Sequence, residues 1–153
     1  MKTNKRGFTI LELLAVIIIL GILMTLAYVG VSGYLNKTRS ATYENFEHNI
    51  TDGVTNFLID HSGYIPNEGE SLVVDVSKLV CEGYIDNLQD PSESNKTCNL
   101  ESYAIVTRNT NKGYNMDIDY KACLVCEGYK SPACSNSIVG IERLTKDASC
   151  EVR

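Results

Sequence analysis

Apolar side chains divide the sequence into an uninterrupted apolar run and a longer mixed region. The run follows a basic start, with two lysines and an arginine in residues 2–6, and no charged residue occurs between Leu13 and Asn36. A membrane span needs about 20 apolar residues, so this run is long enough to cross a bilayer. A single carboxylate, that of Glu12, lies near its start.

Beyond this run the apolar positions recur every three or four residues, a spacing typical of one face of an amphipathic helix. The members of this stripe are Tyr43, Phe46, Ile50, Val54, Phe57 and Leu58. We therefore predict one helix from Phe8 to about Ser62, apolar on all sides at first and amphipathic later. Gly63 follows, with a proline shortly after it, which is a common sequence at helix ends. The stripe is the face that we expect to pack on a sheet.

Residues 63–153 carry patterns typical of short strands. Apolar and polar residues alternate over residues 114–120, which predicts a strand with one buried face. Residues 102–107 are its predicted partner, and residues 108–113 between them have the composition of a hairpin turn. Residues 138–144 contain a further candidate strand. We therefore predict an α+β fold, in which a small antiparallel sheet packs on the distal half of the long helix and disulfides fasten it.

The sequence between the helix and the hairpin gives weaker signals. Residues 72–76 are a short apolar run, residues 77–82 fit one or two helical turns, and residues 87–99 are polar and indicate an exposed loop. The hexapeptide Leu-Val-Cys-Glu-Gly-Tyr occurs twice, at residues 79–84 and 124–129. The two copies are interpreted either as similar glycine-terminated turns, each held by a disulfide, or as a coincidence of sequence.

The carboxylate of Glu12 needs a physical explanation, because a charge within a membrane span costs about 3 kcal/mol on insertion scales. A cationic partner at the same depth would offset this cost. Cleavage of the chain after Gly7 would create such a cation, the α-amino group of Phe8. Glu12 would then pair with this amine within one chain or in a neighbouring copy, where the contact would fix the axial register of packed helices.

The residues around this junction form a specific combination with the short basic leader and the long apolar helix. They are Gly7-Phe8-Thr9-Ile10-Leu11-Glu12-Leu13-Leu14. This combination resembles the class III leader and cleavage site of type IV pilins and pseudopilins. The resemblance implies that a prepilin peptidase cuts after Gly7 and usually methylates the new amine of Phe8. It also implies that Glu12 guides the docking of subunits into a helical filament.

The resemblance further implies a structural protein and not an enzyme, with no catalytic residue and no cofactor. The precursor would span the cytoplasmic membrane once, and an assembly ATPase and a membrane platform protein would build it into a cell-surface filament of pilin-like subunits. Residues 1–7 would be the leader, 8–35 the transmembrane and filament-core helix, 36–62 its amphipathic half, and 63–153 the exported head. Type IV pili, competence pseudopili and type II secretion pseudopili share this N-terminus, so the filament class stays open.

Other interpretations explain less of the N-terminus. A secretory signal peptide would not place Glu12 at the head of its apolar core, and no convincing small-residue cleavage site follows that core. A plain membrane anchor explains the length and the basic flank, but neither Glu12 nor the junction of Gly7 and Phe8. The main alternative is an anchored extracellular binding or metal-binding domain that does not polymerise.

The charge balance predicts an acidic exported part. The chain has 14 basic and 19 acidic residues, which give a formal charge of −5. Removal of residues 1–7, with three basic side chains, leaves 11 basic residues and a charge of −8. This balance argues against nucleic-acid binding through a basic face.

The six cysteines all lie in the C-terminal half: Cys81, Cys98, Cys123, Cys126, Cys134 and Cys150. An even number in an exported region indicates a disulfide framework, and six cysteines allow 15 pairings. We predict that Cys81 pairs with Cys98 to close the polar loop and that the other four pair among themselves. The alternative is a four-thiolate zinc site formed by those four, of which only Cys123 and Cys126 are suitably spaced.

Few other side chains suggest chemistry. His48 and His61 lie on different faces of the predicted helix, with no nucleophile arranged beside them, so ordinary surface or core histidines are the preferred interpretation. Asp117 and Asp119 would share the outer face of a strand, where a solvated acidic face is preferred over a calcium site. We therefore predict no metal site.

Overall fold

The computed structural model describes residues 8–93, 95–98, 100–110, 117–134, 138, 140–148 and 150. Its elements are α1 (Ile10–Asp60), a 3-10 turn (Ser62–Tyr64), β1 (Ser71–Asp75), α2 (Val76–Cys81), β2 (Tyr103–Arg108), β3 (Ile118–Cys123), β4 (Val125–Cys126), β5 (Tyr129–Lys130) and β6 (Glu142–Leu144). The chain forms two compact units, Met1–Thr38 and Arg39–Arg153, and α1 contributes residues to both.

The first unit consists mainly of an apolar stretch of helix. The residues described there are exposed, and α1 contains a window with a mean hydropathy of 2.8, long and apolar enough to cross a membrane. Two of its threonine hydroxyl groups bond to the helix backbone: Thr25 donates to the Ile22 carbonyl at 2.7 Å, and Thr38 to the Tyr34 carbonyl at 3.0 Å. Such bonds satisfy a hydroxyl group where no water is present.

The second unit contains a four-stranded sheet in the order β3-β2-β1-β6. Strand β2 is antiparallel to both β1 and β3, so that Tyr103 lies opposite Asp75 on one side and Cys123 on the other. Strand β6 runs parallel to β1, and β4 and β5 form a separate hairpin. The predicted α+β fold and the pairing of the two predicted hairpin strands are confirmed.

The predicted strands differ from the observed ones in extent and direction. Strand β3 continues to Cys123, beyond the predicted end at Tyr120, and its last two residues are buried. Part of the predicted strand and turn falls on residues 111–116, which lie outside the described residues. The further strand predicted within residues 138–144 is present as β6, but it is parallel to β1, because the connection after β5 returns the chain to the far edge of the sheet.

The apolar stripe of α1 forms the core, as predicted. Tyr43, Ile50, Val54, Phe57 and Leu58 are buried, and Phe46 is half-buried. The stripe shares one cluster with Leu72, Val74 and Val106 of the sheet, whereas Val73 belongs to a second cluster with Tyr103. Because successive strand side chains point to opposite faces, both faces of β1 are covered, which explains its unbroken apolar sequence.

The segment after α2 crosses α1 closely at Gly53. An added Cβ at Gly53 would lie 2.3 Å from Cγ2 of Ile85 and 3.7 Å from the Tyr84 carbonyl oxygen. The absence of a side chain at this position therefore lets Ile85 reach the core.

We expect Gly53→Ala to destabilise the second unit by about 1–3 kcal/mol through overpacking, although alanine is the better helix former by about 1 kcal/mol. Denaturant unfolding of the full chain in detergent, followed by the near-ultraviolet circular dichroism of its tyrosines, measures this change. Gly63→Ala is the matched control, because nothing lies within 4 Å of its added Cβ. Ile85→Ala loses core contacts of its own, so the expected result is that adding Gly53→Ala to it causes no further loss of stability. A neutral Gly53→Ala in the wild-type chain would contradict the steric argument.

The disulfides correct the predicted pairing. The structure joins Cys81 to Cys150, Cys98 to Cys126 and Cys123 to Cys134, with Cα–Cα distances of 6.0, 4.6 and 4.6 Å. The predicted bond between Cys81 and Cys98 is therefore wrong, and so is the prediction that the other four cysteines pair among themselves, since only Cys123 and Cys134 do. That prediction chose the nearest cysteine in sequence, whereas the fold places Cys98 beside the β4–β5 hairpin and Cys81, at the end of α2, beside the C-terminal segment.

The polar loop at residues 87–99 is less exposed than predicted. Leu88, Asp90 and Cys98 are buried in it, and an isolated antiparallel bridge joins Gln89 to Thr97. Because the disulfide from Cys98 leads to β4, this loop is fastened to a hairpin that lies far away in sequence.

The two copies of the repeated hexapeptide adopt different structures, so the prediction of two similar turns is wrong. The first copy ends α2 and turns at Gly83, with φ at 79°, whereas the second forms the β4–β5 hairpin. Both copies still bury their leucine and place their cysteine in a disulfide. Each tyrosine hydroxyl donates to a carboxylate of α1 at 2.9 Å, Tyr84 to Asp60 and Tyr129 to Glu47.

Candidate functional site

The start of α1 is a reciprocal hydrogen-bonded cap formed by Thr9 and Glu12. The helix begins at Ile10, and the Thr9 hydroxyl accepts a bond from the Glu12 backbone N–H at 3.3 Å. The Glu12 carboxylate accepts bonds from the Thr9 backbone N–H and hydroxyl, both at 3.4 Å. This is a capping box, in which two N–H groups of the first turn are satisfied by two side chains.

The capping box gives Glu12 a role that the sequence analysis missed. A threonine followed three residues later by glutamate, just before an apolar run, is the signal that identifies such a cap. The two bonds to the Glu12 carboxylate, both of 3.4 Å, are longer than the 2.7–2.9 Å of charge-assisted bonds. The cap therefore leaves Glu12 able to form a stronger contact with a cation.

The predicted processing residues lie at the same end of the chain. Phe8 precedes α1 and is 83% exposed, whereas Gly7 lies outside the described residues. Because α1 begins at Ile10, the Phe8 backbone is not enclosed in helical hydrogen bonds. Thr9 and Glu12 thus form an exposed polar end on the apolar first half of α1, directly after the exposed side chain of Phe8.

The cysteines of the zinc alternative are divided among three disulfides. Cys123 binds Cys134, while Cys126 and Cys150 bind two cysteines from outside that set. Among the residues that the structure describes, one group of side chains lies close enough together to bind a metal ion: Asp90, Cys98 and Cys126. Its two sulfur atoms are already bonded to each other, so they supply no thiolate.

Asp90 is a buried carboxylate that the sequence analysis did not identify. It accepts bonds from the Tyr43 hydroxyl at 3.1 Å, the Ser92 backbone N–H at 2.7 Å and the Glu127 backbone N–H at 3.1 Å. Burial raises the pKa of Asp90, but these donors outweigh burial and hold the pKa below its ordinary value. Tyr129 stacks on Tyr43 with ring centroids 4.2 Å apart. Asp90 therefore joins the polar loop, the β4–β5 hairpin and α1.

The remaining predicted candidates have ordinary surroundings. His61 stacks on Phe57, with ring centroids 4.7 Å apart, and His48 is exposed on α1. Asp119 is exposed and forms an ion pair with Lys121 at 3.5 Å. These contacts fit the preferred interpretations of structural and surface side chains.

Comparison with known proteins identifies the N-terminus. The model of the prokaryotic N-terminal methylation motif matches residues 2–28. Residues 2–28 thus carry a prokaryotic N-terminal methylation motif. The resemblance seen in the residues around Gly7 and Glu12 is therefore confirmed. The residues that match the methylation motif include the capping box described above.

A relative of this chain is the ComG operon protein 3 homolog of Bacillus licheniformis. The two proteins are 29% identical over 90 residues, which cover 58% of this chain and 84% of the relative. No solved structure gives a significant match to the chain. The motif and the relative together support a pilin or pseudopilin subunit, and the apolar α1 fits a membrane-anchored precursor.

Proposed function

We propose that the chain is a prepilin that is cut after Gly7 and assembles through α1 into a type IV pilus-like filament. The observation that carries this proposal is a single carboxylate, Glu12, in the first turn of an exposed apolar helix that carries the methylation motif. The proposal covers a type IV pilus, a competence pseudopilus and a type II secretion pseudopilus.

Processing supplies the charge that Glu12 requires. Cleavage after Gly7 converts the Phe8 backbone N–H into a protonated amine near the capping box. Methylation of this amine by the prepilin peptidase retains its positive charge. The mature N-terminus then offers a cation and an anion near the same end of α1, and two neighbouring copies satisfy both charges when they are staggered.

Burial of α1 supplies the cohesion of the proposed filament. Its exposed apolar side chains lie in lipid before assembly and against other copies afterwards, so the net gain comes from close packing between helices. A buried ion pair adds little net stability, but it selects one register. An assembly ATPase and a platform protein would drive the transfer from the membrane, and the acidic head would face outward.

We expect the chain recovered from its own host to begin at Phe8 and to carry one additional methyl group. Intact mass and N-terminal sequencing measure both features. Replacement of Gly7 by leucine is the control, and this variant should keep Met1. A wild-type chain that begins at Met1 or beyond the apolar run would overturn the proposal and favour the anchored domain that does not polymerise.

A further inference from the structure

None of the three disulfides joins two cysteines that are consecutive along the chain. Pairing in chain order would give Cys81 with Cys98, Cys123 with Cys126, and Cys134 with Cys150. The structure has none of these three bonds, and two of its own bonds interleave, because Cys123 lies between Cys98 and Cys126. The native set of disulfides therefore differs from the set that forms when each cysteine bonds to the cysteine nearest to it along the chain.

Chain statistics favour the wrong partner for Cys81 in the unfolded state. The native bond from Cys81 to Cys150 closes a separation of 69 residues, whereas the bond to Cys98 closes one of 17. The cost of loop closure rises as 3/2 RT ln n, so the ratio of 69 to 17 makes the shorter loop roughly eightfold more probable. The pair Cys123 and Cys126, with two residues between them, is closer still.

A chain oxidised in this way cannot repair itself. All six cysteines are bonded in the folded protein, so the same number of wrong bonds would leave no thiolate in the chain. Disulfide exchange requires a thiolate to attack a sulfur atom, and this thiolate must therefore come from another molecule.

We propose that the exported head acquires its native disulfides by exchange with an external thiol, and that its partner is a thiol–disulfide exchange catalyst outside the cytoplasm. The catalyst thiolate attacks a misplaced bond such as that between Cys81 and Cys98, forms a mixed disulfide and releases one protein thiolate. That thiolate attacks another protein disulfide, and the last thiolate released expels the catalyst. The exchange is neutral in electrons, since the six electrons and six protons lost in forming three bonds have already passed to a disulfide oxidant.

Burial in the folded head then retains the native set. Cys98 and Cys123, one from each interleaved bond, are 1% exposed. An attacking thiolate therefore reaches these two sulfur atoms less easily than it reaches those of a misfolded chain. Exchange proceeds until the core closes over them.

The test is oxidative refolding of the full chain from the reduced, denatured state into detergent. One sample receives oxidised glutathione only, and the other receives oxidised and reduced glutathione. After alkylation, trypsin separates the alternatives, because Cys123 and Cys126 share the peptide 122–130. The native set links this peptide to those of Cys98 and Cys134, whereas the sequential set closes a loop within it.

We expect at least a fivefold higher yield of the native three-peptide product when reduced glutathione is present. Cys98→Ser/Cys126→Ser is the matched control, because the nearest pair that remains, Cys123 and Cys134, is native. Chain statistics favour that bond about twofold over the bond from Cys134 to Cys150, so this variant should form mostly native bonds with oxidised glutathione only. Equal native yields from the wild-type chain under both conditions would overturn the proposal and show that folding precedes oxidation.

Discussion

Glu12→Ala should leave insertion and cleavage after Gly7 intact and abolish or disorder the filaments. Loss of the carboxylate makes the span more apolar, by about 3 kcal/mol on insertion scales, so the precursor still enters the membrane. In the filament, the Phe8 amine of a neighbouring copy loses its partner, and the apolar helices lose the contact that selects one stagger. Filament yield in the sheared surface fraction and electron microscopy measure the defect, and N-terminal mass checks the cleavage.

Two further variants separate the charge of Glu12 from its part in the capping box. Glu12→Gln keeps a side chain that capping boxes accept but removes the charge, so it should fail like Glu12→Ala. Thr9→Ala keeps the charge and removes the capping hydroxyl, which costs about 1 kcal/mol of helix stability and should reduce assembly less. Normal filaments from Glu12→Gln would contradict the charge role. Failure of only Thr9→Ala would assign the function to the cap.

The long helix and its core face were predictable because apolar residues that recur at helical spacing can be recognised from the sequence alone. Tyr43, Ile50, Val54 and Phe57 recur at the spacing that brings side chains to one face, and each of them is buried. The alternation of apolar and polar residues over residues 118–120 likewise reports the pleat of a strand. Patterns of this kind depend on neighbours along the chain, so they can be recognised without the fold.

The pairing of the cysteines and the conformations of the two hexapeptides depend on contacts between residues far apart in the sequence. Local sequence patterns do not reveal such contacts. Cys98 meets Cys126 because β2 and β3 form a hairpin that brings β4 back to the loop before β2. The two hexapeptides form a helix end and a hairpin, so local preference does not decide their conformation. The tertiary contacts of the two copies differ: Cys81 bonds to Cys150, whereas Cys126 bonds to Cys98 in the polar loop.

Asp90 illustrates the same limit for buried polar groups. It lies in a polar segment with serines, asparagines and a proline, which is the composition of a solvated loop. Its donors come from α1, from its own loop and from the turn after β4. Nothing near Asp90 in the sequence indicates that the Tyr43 hydroxyl will donate a hydrogen bond to its carboxylate.

Asp90→Ala should therefore destabilise the second unit by about 3 kcal/mol, because it leaves the buried Tyr43 hydroxyl and two backbone N–H groups without this acceptor. Denaturant unfolding of the full chain in detergent measures the loss. Glu93→Ala is the matched control from the same loop, since its ion pair with Lys96 is half-exposed and should contribute little to stability. Equal effects of the two substitutions would contradict the role of Asp90 as a joint between elements.

The acid dependence of stability gives an independent test of the same carboxylate. The pKa of Asp90 is lower in the folded chain than its ordinary value, so the folded state binds its proton less readily than the unfolded state does. Its stabilising contribution is therefore complete above about pH 5 and is lost as the pH falls through the ordinary pKa near 4 towards the folded one. Asp90→Asn keeps one acceptor oxygen and cannot titrate, so stability measured between pH 6 and pH 3 should fall less steeply than in the wild-type chain. Parallel curves for the two proteins would show that other carboxylates, and not Asp90, cause the loss of stability at low pH.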